Sequence, residues 1–585
     1  MKTFLKMLLA VILGFGLFIF IGFIFMASLV SLSEDKVEVS NHSVLKINVN
    51  TMIRERVENN PFAGLSDLGI MSDDAMGLNN LKEALKEAAN DDRIEGVYLN
   101  GAIPIAGTAT LAEFRNALGE FKESGKFIYN YSEVMSQKGL YLVSIADSVL
   151  MNPAGFVEWT GLNGSVTYYK EALDKLGVKP VVLRATGNKY KSAVEPFLRQ
   201  DMSVENRAQL TDLLGSFWGQ MLATIGEARN ITSDKLNALA DSMTVTSSVE
   251  AMANNMIDGT VYYDQVQEAL DRATNVGGGD WGFISVKDYL ESKPSKTNYK
   301  ADKIAVIVAQ GEIVSGDGGE YSIGSDRIAK AIRDARTNDK VKAIVLRVNS
   351  PGGSALASEV IWREVQLAKE VKPLVASMGD VAASGGYYIS CLADTIVAQP
   401  STVTGSIGVF GLFFTAQELM NEKLGINIET VPTNHYADLG TLDRDLTPGE
   451  IRMLISQVDE VYTLFKQRVA DGRNLDVDFV NEVGGGHVYS GVKALELGLV
   501  DVLGGLDDAI EIAKNMAGIE GEYRVVEYPK LEDPLQKLLK ELGGDVEAKF
   551  VKSKLGENAR YFDFYSRLEK MQGYQARLEY DLIID

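Results

Sequence analysis

Short apolar runs alternate with amphipathic stretches along most of the chain. The pattern predicts strands over residues 45–49, 96–99 and 304–308, and helices over residues 81–89 and 111–121. The alternation starts near residue 45, is interrupted by a glycine-rich and lysine-rich stretch between residues 276 and 296, and continues to about Ala517. Such alternation favours βαβ units and a mainly parallel sheet. We therefore predict an α/β fold on each side of the interruption.

The two regions also match one another in sequence. Residues 92–99 (DRIEGVYL) align with residues 339–346 (DKVKAIVL) at a constant offset in the numbering. The same offset places Gly139, Tyr141 and Pro153 on Gly386, Tyr388 and Pro400. Self-similarity at a fixed offset indicates a tandem duplication. The predicted domains are a first repeat over residues 34–290, a linker over residues 291–301 and a second repeat over residues 302–520.

The two ends of the chain differ from the repeats. Residues 7–30 are apolar and uncharged, about long enough to span a bilayer. Lysines precede this stretch and acidic residues follow it, which places the N-terminus in the cytoplasm and the rest outside it. We predict an uncleaved anchor over residues 1–33 rather than a cleaved secretory signal, because the apolar part is long and no clear cleavage site follows. Residues 521–585 are predicted to be a helical extension that packs on its own domain or on a neighbouring subunit.

The amino-acid composition of the chain excludes several classes of function. The 585 residues carry a formal net charge of -22, which argues against a nucleic-acid-binding surface. The single cysteine, Cys391, excludes an internal disulfide framework and a multi-cysteine zinc site, and is predicted to be a small buried residue. The three histidines, His42, His435 and His487, form no His-Glu-x-x-His metal signature. We predict no metal, no cofactor and no nucleic-acid partner.

Ser384 stands in a turn that suits a nucleophile. Residues 382–388 (AASGGYY) follow an apolar strand-like run and precede a helix-like run that reaches Asp394. A serine between small residues at a strand-to-helix turn is unobstructed and lies at the positive end of a helix, where a developing oxyanion is stabilised. Ser384 is therefore a candidate nucleophile. A serine hydroxyl also needs a base within hydrogen-bond reach.

The comparison of the repeats indicates where that base lies. Ser384 falls on Gln137, so the first half has no serine at this position. After a slip of one residue in the offset, Lys191 falls on Ala437, so the second half has no lysine there. A neutral lysine is a known alternative to histidine, provided that burial or nearby positive charge lowers its pKa. Each half therefore carries part of one predicted site, with Lys191 as the candidate base.

Two further turns supply candidates. Residues 349–354 (NSPGGS) follow a predicted strand, and a glycine pair after proline lets a backbone N–H point where a side chain would block it. Gly353 is the first candidate for the oxyanion hole, with the N–H of Gly385 as the second donor. Residues 402–408 place Ser406 in a glycine-flanked turn. Ser406 is either the nucleophile itself or a hydroxyl that orients the lysine ammonium.

Four motifs together resemble one family, the long two-repeat form of bacterial signal peptide peptidase A, also called protease IV. The motifs are residues 190–197 (YKSAVEPF), 349–354 (NSPGGS), 382–388 (AASGGYY) and 404–408 (TGSIG). The resemblance covers nearly everything from the anchor to about Ala517 and weakens after it. It implies Ser384 as nucleophile, Lys191 as general base, Ser406 as the group that holds the lysine, and an oxyanion N–H from Gly353.

The resemblance also implies a fold, a place and a substrate. The fold would be a tandem duplication of a βαβ superhelical domain like those of Clp protease and the crotonases, and the long members assemble as tetramers. The protein would be a single-pass component of the inner (cytoplasmic) membrane with its catalytic domains on the periplasmic, extracytoplasmic side. Its substrates would be cleaved signal peptides and other apolar peptides. Two rival functions are an inactive membrane scaffold and an enzyme that handles acyl-CoA thioesters.

Overall fold

The structure is a computed structural model that describes residues 38–57, 75–276, 281–293, 298, 300–319, 321–530 and 573–578, together with Met7, Gly14 and Gly16. The predicted anchor over residues 1–33 lies outside the described residues, apart from those three. Within the described residues, no helix has the length and the apolar character needed to cross a bilayer.

The first half builds a parallel sheet covered by helices. Its strands are β1 (Ser43–Asn48), β2 (Ile53–Arg54), β3 (Met76–Gly77), β4 (Ile94–Ala102), β5 (Phe127–Met135), β6 (Ser148–Val157), β7 (Lys179–Arg184), β8 (Gly259–Thr260) and β9 (Gly282–Ser285). Its helices are α1 (Leu78–Ala89), α2 (Thr108–Lys122), α3 (Gln137–Val143), α4 (Lys170–Leu176), α5 (Glu195–Leu198), α6 (Val204–Arg229), α7 (Ser233–Asp241), α8 (Ser248–Ala253), α9 (Tyr263–Ala273) and α10 (Val286–Glu291). The sheet order is β8-β6-β5-β4-β1-β9, and all five pairings are parallel.

The second half repeats this plan. Its strands are β10 (Asp302–Gln310), β11 (Glu312–Val314), β12 (Ser322–Gly324), β13 (Val341–Ser350), β14 (Gly352–Ser354), β15 (Leu374–Ala383), β16 (Thr395–Ala398), β17 (Val403–Gly405), β18 (Phe410–Thr415), β19 (Val488–Ser490), β20 (Val502–Leu503) and β21 (Tyr523–Tyr528). Its helices are α11 (Ser325–Thr337), α12 (Ala355–Lys369), α13 (Gly385–Ser390), α14 (Pro448–Arg473), α15 (Val477–Val483), α16 (Gly491–Glu496) and α17 (Leu506–Met516). The main order is β19-β17-β15-β13-β10-β21, and β16 pairs with β15 and β20.

The elements form for reasons visible in their sequences. The middle of β10 is an unbroken apolar run buried on both faces, as expected of a strand covered by helices on each side. In α1 the buried residues are Leu78, Leu81, Ala84, Leu85 and Ala88, which recur at helical spacing and leave a polar face to solvent. Each half has its own large apolar core of buried residues.

The internal repeat is confirmed at the level of single elements. Helices α2 and α12 have the same length and are separated by the same offset that relates β5 to β15. Helices α6 and α14 both have 26 residues, and each ends at an asparagine in the left-handed conformation. The mixed α/β fold of repeated units is therefore as predicted, whereas the predicted domain boundaries stay predictions.

The predicted helical extension after residue 520 is wrong where the structure describes it. Residues 523–528 form β21, which pairs in parallel with β10, and Gly573–Arg577 form a last strand, β22. Valine and tyrosine suit a half-buried pleated surface, and a free strand edge supplied the hydrogen-bonding partners. Most of the segment predicted to be helical, residues 531–572, lies outside the described residues.

A third sheet joins the two halves. Its order is β12-β11-β14-β22-β18-β7, so it takes β7 from the first half and β22 from the C-terminal segment. Strand β18 pairs antiparallel with β7 from Phe410 opposite Arg184 to Thr415 opposite Lys179. Residues 185–191 follow β7 directly, so this pairing brings the segment with Lys191 to the second half.

A buried ion cluster also links the halves. The Arg347 guanidinium donates to both carboxylate oxygens of Glu55, at 2.9 and 2.8 Å, and to Glu113 at 2.7 Å. All three side chains are at most 2% exposed. Burial raises the pKa of Glu55, and the Arg347 charge offsets this only in part. Burial also opposes ionisation of Glu113, but the charges of Arg347 and Lys82 outweigh it and lower its pKa.

Replacing Arg347 with methionine is expected to lower the free energy of unfolding by about 3–5 kcal/mol, because two buried carboxylates lose their counter-charge. The lowered pKa of Glu113 means that its stabilising contribution is present above the unfolded-state pKa and is lost as the pH falls through the folded-state pKa. The difference between the wild type and the variant should therefore shrink in acid. Urea unfolding of the full chain at several pH values measures this.

Lys493→Ala is the control, since its ion pair with Glu496 is exposed on both sides and contributes little. An Arg347→Met protein as stable as the wild type at neutral pH would contradict the assigned role of the cluster.

Candidate functional site

Ser384 lies at a strained turn between β15 and α13. Strand β15 ends at Ala383 and α13 begins at Gly385. The backbone of Ser384 has φ 55° and ψ -113°, an uncommon conformation for a residue other than glycine. Its N–H donates to the carbonyl of Gly405 at 2.9 Å, which holds the turn against β17. The turn therefore fixes the direction of the serine hydroxyl.

Lys191 reaches this hydroxyl from the other half of the chain. Its Nζ lies 3.0 Å from Ser384 Oγ and 2.7 Å from Ser406 Oγ. It also donates to the carbonyl of Ser406 at 3.2 Å. All three side chains are fully buried. A buried amine needs hydrogen-bond partners, and the two serines supply them.

Ser406 shares the strained geometry of Ser384. Its φ is 50°, and its N–H donates to the carbonyl of His487 at 2.7 Å. The turn that contains it follows β17, so the two serines come from neighbouring parallel strands. The carboxyl ends of parallel strands meet at one edge of a sheet, which explains why two distant turns approach one lysine.

The glycine pair after Pro351 lies beside the nucleophile. Gly352 has φ 94°, and a Cβ on it would lie 2.7 Å from the nitrogen of Gly385. A Cβ on Gly353 would lie 2.1 Å from the carbonyl oxygen of Ile313. Only glycine fits these two positions. The backbone of β14 is thereby brought against the N-terminal end of α13, with Gly352 in contact with Gly385 and Gly353 next along the strand.

A glycine turn from the second half supports the lysine. Residues 484–487 bring Gly485 and Gly486 against the lysine segment, and the N–H of Tyr190 donates to the carbonyl of Gly485 at 2.9 Å. A Cβ on Gly486 would lie within 2.7 Å of the nitrogen, Cα and Cβ of Lys191. The N–H of Gly486 donates to the carbonyl of Ile407 at 2.9 Å. One turn thus contacts both the lysine segment and the Ser406 turn.

The surroundings of three other reactive side chains, Cys391, His487 and His42, indicate structural roles. Cys391 is fully buried, and burial raises the pKa of its thiol to about 12, which agrees with the predicted small core residue. Burial lowers the pKa of His487, whose ring packs between Tyr190 and Tyr489. Its Nδ1 lies 2.9 Å from the carbonyl of Val488, and His487 belongs to the turn before β19. His42 lies beside Glu95, on the first half.

The structure brings Lys191 into contact with Ser384 and Ser406, as the sequence predicted. Gly385 follows Ser384 directly, and Gly353 follows Gly352, which packs against Gly385. The sequence analysis missed the contact of Gly486 with the lysine and the arrival of β22 beside β14. It also missed Gln209, whose amide donates to the carbonyl of Tyr190 at 3.2 Å. The glycine run at residues 484–486 was a visible signal of close backbone approach, but its partner was not visible.

Comparisons with known proteins show the family to which the chain belongs. The model of peptidase family S49 matches residues 120–277 and 366–520. Protease 4 of Salmonella typhi is 37% identical over 76% of this chain and 72% of that protein. The chain belongs to peptidase family S49.

Two other similar proteins extend the comparison. The chloroplastic serine protease SPPA of Arabidopsis thaliana is 32% identical over 92% of this chain and 78% of that protein. Among solved structures, a ClpP1 variant from Listeria monocytogenes covers 35% of this chain and 94% of that chain, with 13% identity and a TM-score of 0.24. The family match and the protease 4 and SPPA relatives show that this S49 chain is a serine-type peptidase of the protease 4 kind, with two repeats.

Gly486→Ala is expected to reduce peptidase activity about 100-fold, because the new methyl group would displace the backbone of Lys191 by a large fraction of an ångström. Gly498→Ala is the matched control. It also places alanine at a positive φ, 70°, but its Cβ would meet only a leucine methyl at 3.8 Å. Both variants should lose stability in thermal unfolding from the positive φ, Gly486→Ala more than Gly498→Ala because of its contact with Lys191, and only Gly486→Ala should lose activity on an apolar peptide. Equal activities would contradict the supporting role of this turn.

Proposed function

We propose that this S49 peptidase is a membrane-anchored endopeptidase with a Ser-Lys dyad, in which Ser384 is the nucleophile and Lys191 the general base. Gly353 and Gly385 supply the oxyanion N–H groups, and no metal or cofactor takes part. The observation that carries the proposal is the 3.0 Å contact between Lys191 Nζ and Ser384 Oγ, made inside one chain between its two halves.

The chemistry follows from this contact. The Ser384 hydroxyl donates its proton to the neutral amine of Lys191 as Oγ attacks the carbonyl carbon of the peptide. The ammonium that results donates to Ser406 Oγ and to the Ser406 carbonyl, which lie 2.7 and 3.2 Å away and stabilise it in a buried place. The lysine then protonates the departing amine, and a water molecule hydrolyses the ester by the same route.

Ser406 remains the alternative nucleophile, since its hydroxyl is as close to the lysine as that of Ser384. Two features favour Ser384. It is the residue directly before Gly385, whose N–H lies beside the glycine pair of β14. The same glycine pair lies at the edge of β14 along which the extended segment of β22 pairs, so an extended chain can lie beside it. Ser406 is therefore assigned to orienting the lysine.

An apolar cavity of about 530 Å³ adjoins this edge. Its lining includes Ile313, Leu356, Val461 and Leu464, with Ser354 at the end of β14. Burial of an apolar side chain there is favourable by about 25 cal/mol per Å². The cavity supports apolar peptides as substrates, among them cleaved signal peptides, the class that the motif resemblance implies.

Location and assembly complete the proposal. Residues 1–33 anchor the chain in the inner membrane, and the catalytic halves lie on the periplasmic side. The protein assembles as a tetramer. Light scattering coupled to size-exclusion chromatography in detergent measures the subunit number, and a monomer would refute the assembly.

Protease digestion of intact spheroplasts tests the orientation, and protection of the catalytic halves would refute it.

Single substitutions separate the roles of the three side chains. Ser384→Ala and Lys191→Ala should each lower kcat/KM on an apolar peptide by at least about 1,000-fold, because members of such a dyad act as a unit. Ser406→Ala should lower it less, by about 10- to 100-fold, since it orients the base. The measurement is steady-state hydrolysis of a fluorogenic apolar peptide by the full chain in detergent. An inactive Ser406→Ala protein beside an active Ser384→Ala protein would make Ser406 the nucleophile.

The rate should rise with pH, because only the deprotonated lysine accepts the serine proton. A profile of kcat/KM against pH should rise into the alkaline range. Ser406→Ala should shift the midpoint, since this hydroxyl is within 2.7 Å of the lysine Nζ. A rise with a midpoint near 6.5, the ordinary pKa of histidine, would count against the lysine.

A further inference from the structure

We propose that Gln209 is a positioning residue for Lys191, because its buried amide ties the residues on either side of the lysine to the strand that supports Ser406. The inference rests on the proposed function, since it takes Lys191 as the general base. The observation behind it is that one side chain of the first half, on α6, reaches both the neighbours of Lys191 and strand β19 of the second half. Gln209 is fully buried, so its hydrogen bonds are made within the protein.

The donor end of the amide holds both neighbours of Lys191. The Nε2 of Gln209 lies 3.2 Å from the carbonyl oxygen of Tyr190 and 3.2 Å from the hydroxyl oxygen of Ser192. Ser192 Oγ donates in turn to the same Tyr190 carbonyl at 3.0 Å. The residue before the lysine and the residue after it are therefore both bonded to α6, and the backbone between them sets the position from which the lysine side chain extends.

The acceptor end of the amide reaches the second half. The Oε1 of Gln209 accepts from the N–H of Val488 at 3.4 Å. Val488 begins β19, and the residue before it, His487, accepts the N–H of Ser406 with its carbonyl at 2.7 Å. Strand β19 also pairs with β17, which leads into the turn of Ser406. One amide thus links the backbone around Lys191 to the backbone that holds Ser406, whose hydroxyl lies 2.7 Å from the lysine Nζ.

Gln209 is itself held in place. Its Nε2 also lies 3.2 Å from Oδ1 of Asn206, which is one turn earlier on α6. The Nδ2 of Asn206 donates to the carboxylate of Glu195 at 3.4 Å, and the same carboxylate oxygen accepts the N–H of Ser203, the N-cap of α6, at 3.3 Å. A side chain that positions another must have its own rotamer fixed by packing and hydrogen bonds. These contacts meet that requirement.

The arrangement of donors and acceptors around this side chain suits an amide. A carboxamide has two N–H donors and one carbonyl acceptor in the same group. Here the donors face a carbonyl and a hydroxyl, while the acceptor faces an N–H. An ionised carboxylate only accepts hydrogen bonds, and a methionine side chain of similar length donates none. Neither group replaces the link between the two halves.

A small movement of the lysine is enough to slow the proposed reaction. Its Nζ lies 3.0 Å from Ser384 Oγ and 2.7 Å from Ser406 Oγ, so both hydroxyls are within hydrogen-bond reach. A misplacement of about 1 Å in such a site costs about 100-fold in rate. Gln209 therefore affects the chemical step through Lys191 and leaves peptide binding unchanged.

Gln209→Met tests this role without adding a charge. The measurement is steady-state hydrolysis of a fluorogenic apolar peptide by the full chain in detergent, over a range of pH. We expect kcat to fall about 10- to 100-fold with KM unchanged, because the base moves while the edge that takes the peptide does not. The midpoint of kcat against pH should also shift, since Lys191 changes its distances to the two serine hydroxyls.

Gln220→Met is the matched control. Gln220 lies about three turns further along the same helix. It also reaches the second half, where its Nε2 donates to the carbonyl of Pro400 at 3.3 Å. Both kcat and the pH midpoint of this variant should equal those of the wild type. A Gln209→Met protein with the kcat and the pH midpoint of the Gln220→Met protein would overturn the proposal.

Gln209→Glu supplies a second test, which decides the question if the methionine variant does not fold, because it preserves the size of the side chain. A protonated carboxylic acid donates one hydrogen bond and accepts another, whereas the ionised form only accepts. The loss of kcat relative to the wild type should therefore grow as the pH rises through the pKa of the new carboxyl. The titratable groups next to this position are Tyr190, Lys191, Glu195 and His487. A kcat equal to the wild-type value across the pH range would contradict the role of Gln209.

Lys191→Ala, measured in parallel, separates this inference from the proposed function. A Lys191→Ala protein that keeps its activity would refute both, because Lys191 would not be the base. An inactive Lys191→Ala protein beside a Gln209→Met protein with unchanged kcat would refute only the positioning role. Thermal unfolding of each variant shows that it is folded at the assay temperature.

Discussion

The pairing of β7 with β18 is the constraint on which the site depends. It joins a strand of the first half to a strand of the second over the length of both. The lysine segment follows β7 directly, and Ser406 lies shortly before β18. Without this pairing, Lys191 and Ser384 would belong to two separate α/β units with no reason to meet. The proposed peptidase centre is therefore a property of the joined halves.

Many contacts between the two halves, which together we call the joint, are buried. Lys191, Ser384 and Ser406 are fully buried, and so is Arg347 with its two carboxylate partners. A buried polar group is tolerated only when it is paired, so each contact across the joint must be formed accurately. The glycines at positions 353 and 486 let backbones approach where any side chain would intrude. Tight packing thus holds Lys191, the proposed base, at hydrogen-bond distance from both serines and also keeps it away from bulk water.

The third sheet contains both the strand pairing that joins the halves and the edge of β14 at which a substrate peptide is proposed to pair. It holds the strand that carries the base segment, the glycine strand of the proposed oxyanion hole, and the C-terminal strand between β14 and β18. In the proposed function, an extended peptide would pair with the edge of β14 that β22 occupies in this structure, because backbone pairing is largely independent of side chains. Selectivity would then come from the apolar cavity next to Ser354. One sheet would therefore serve both assembly of the proposed site and recognition of a peptide.

The sequence by itself determined the repeated α/β plan and the five candidate residues of the site. Periodicity reports which residues are buried within one element, and the offset between the halves showed that Ser384 and Lys191 each lack a counterpart. The sequence did not determine β22, because residues 573–577 carry no clear strand pattern and gain their strand geometry from the free edges of β14 and β18. Nor could it show that Gly486 packs on Lys191 or that Arg347 pairs with Glu55 and Glu113. Those contacts join residues far apart in the chain, and only the packing of one half against the other decides them.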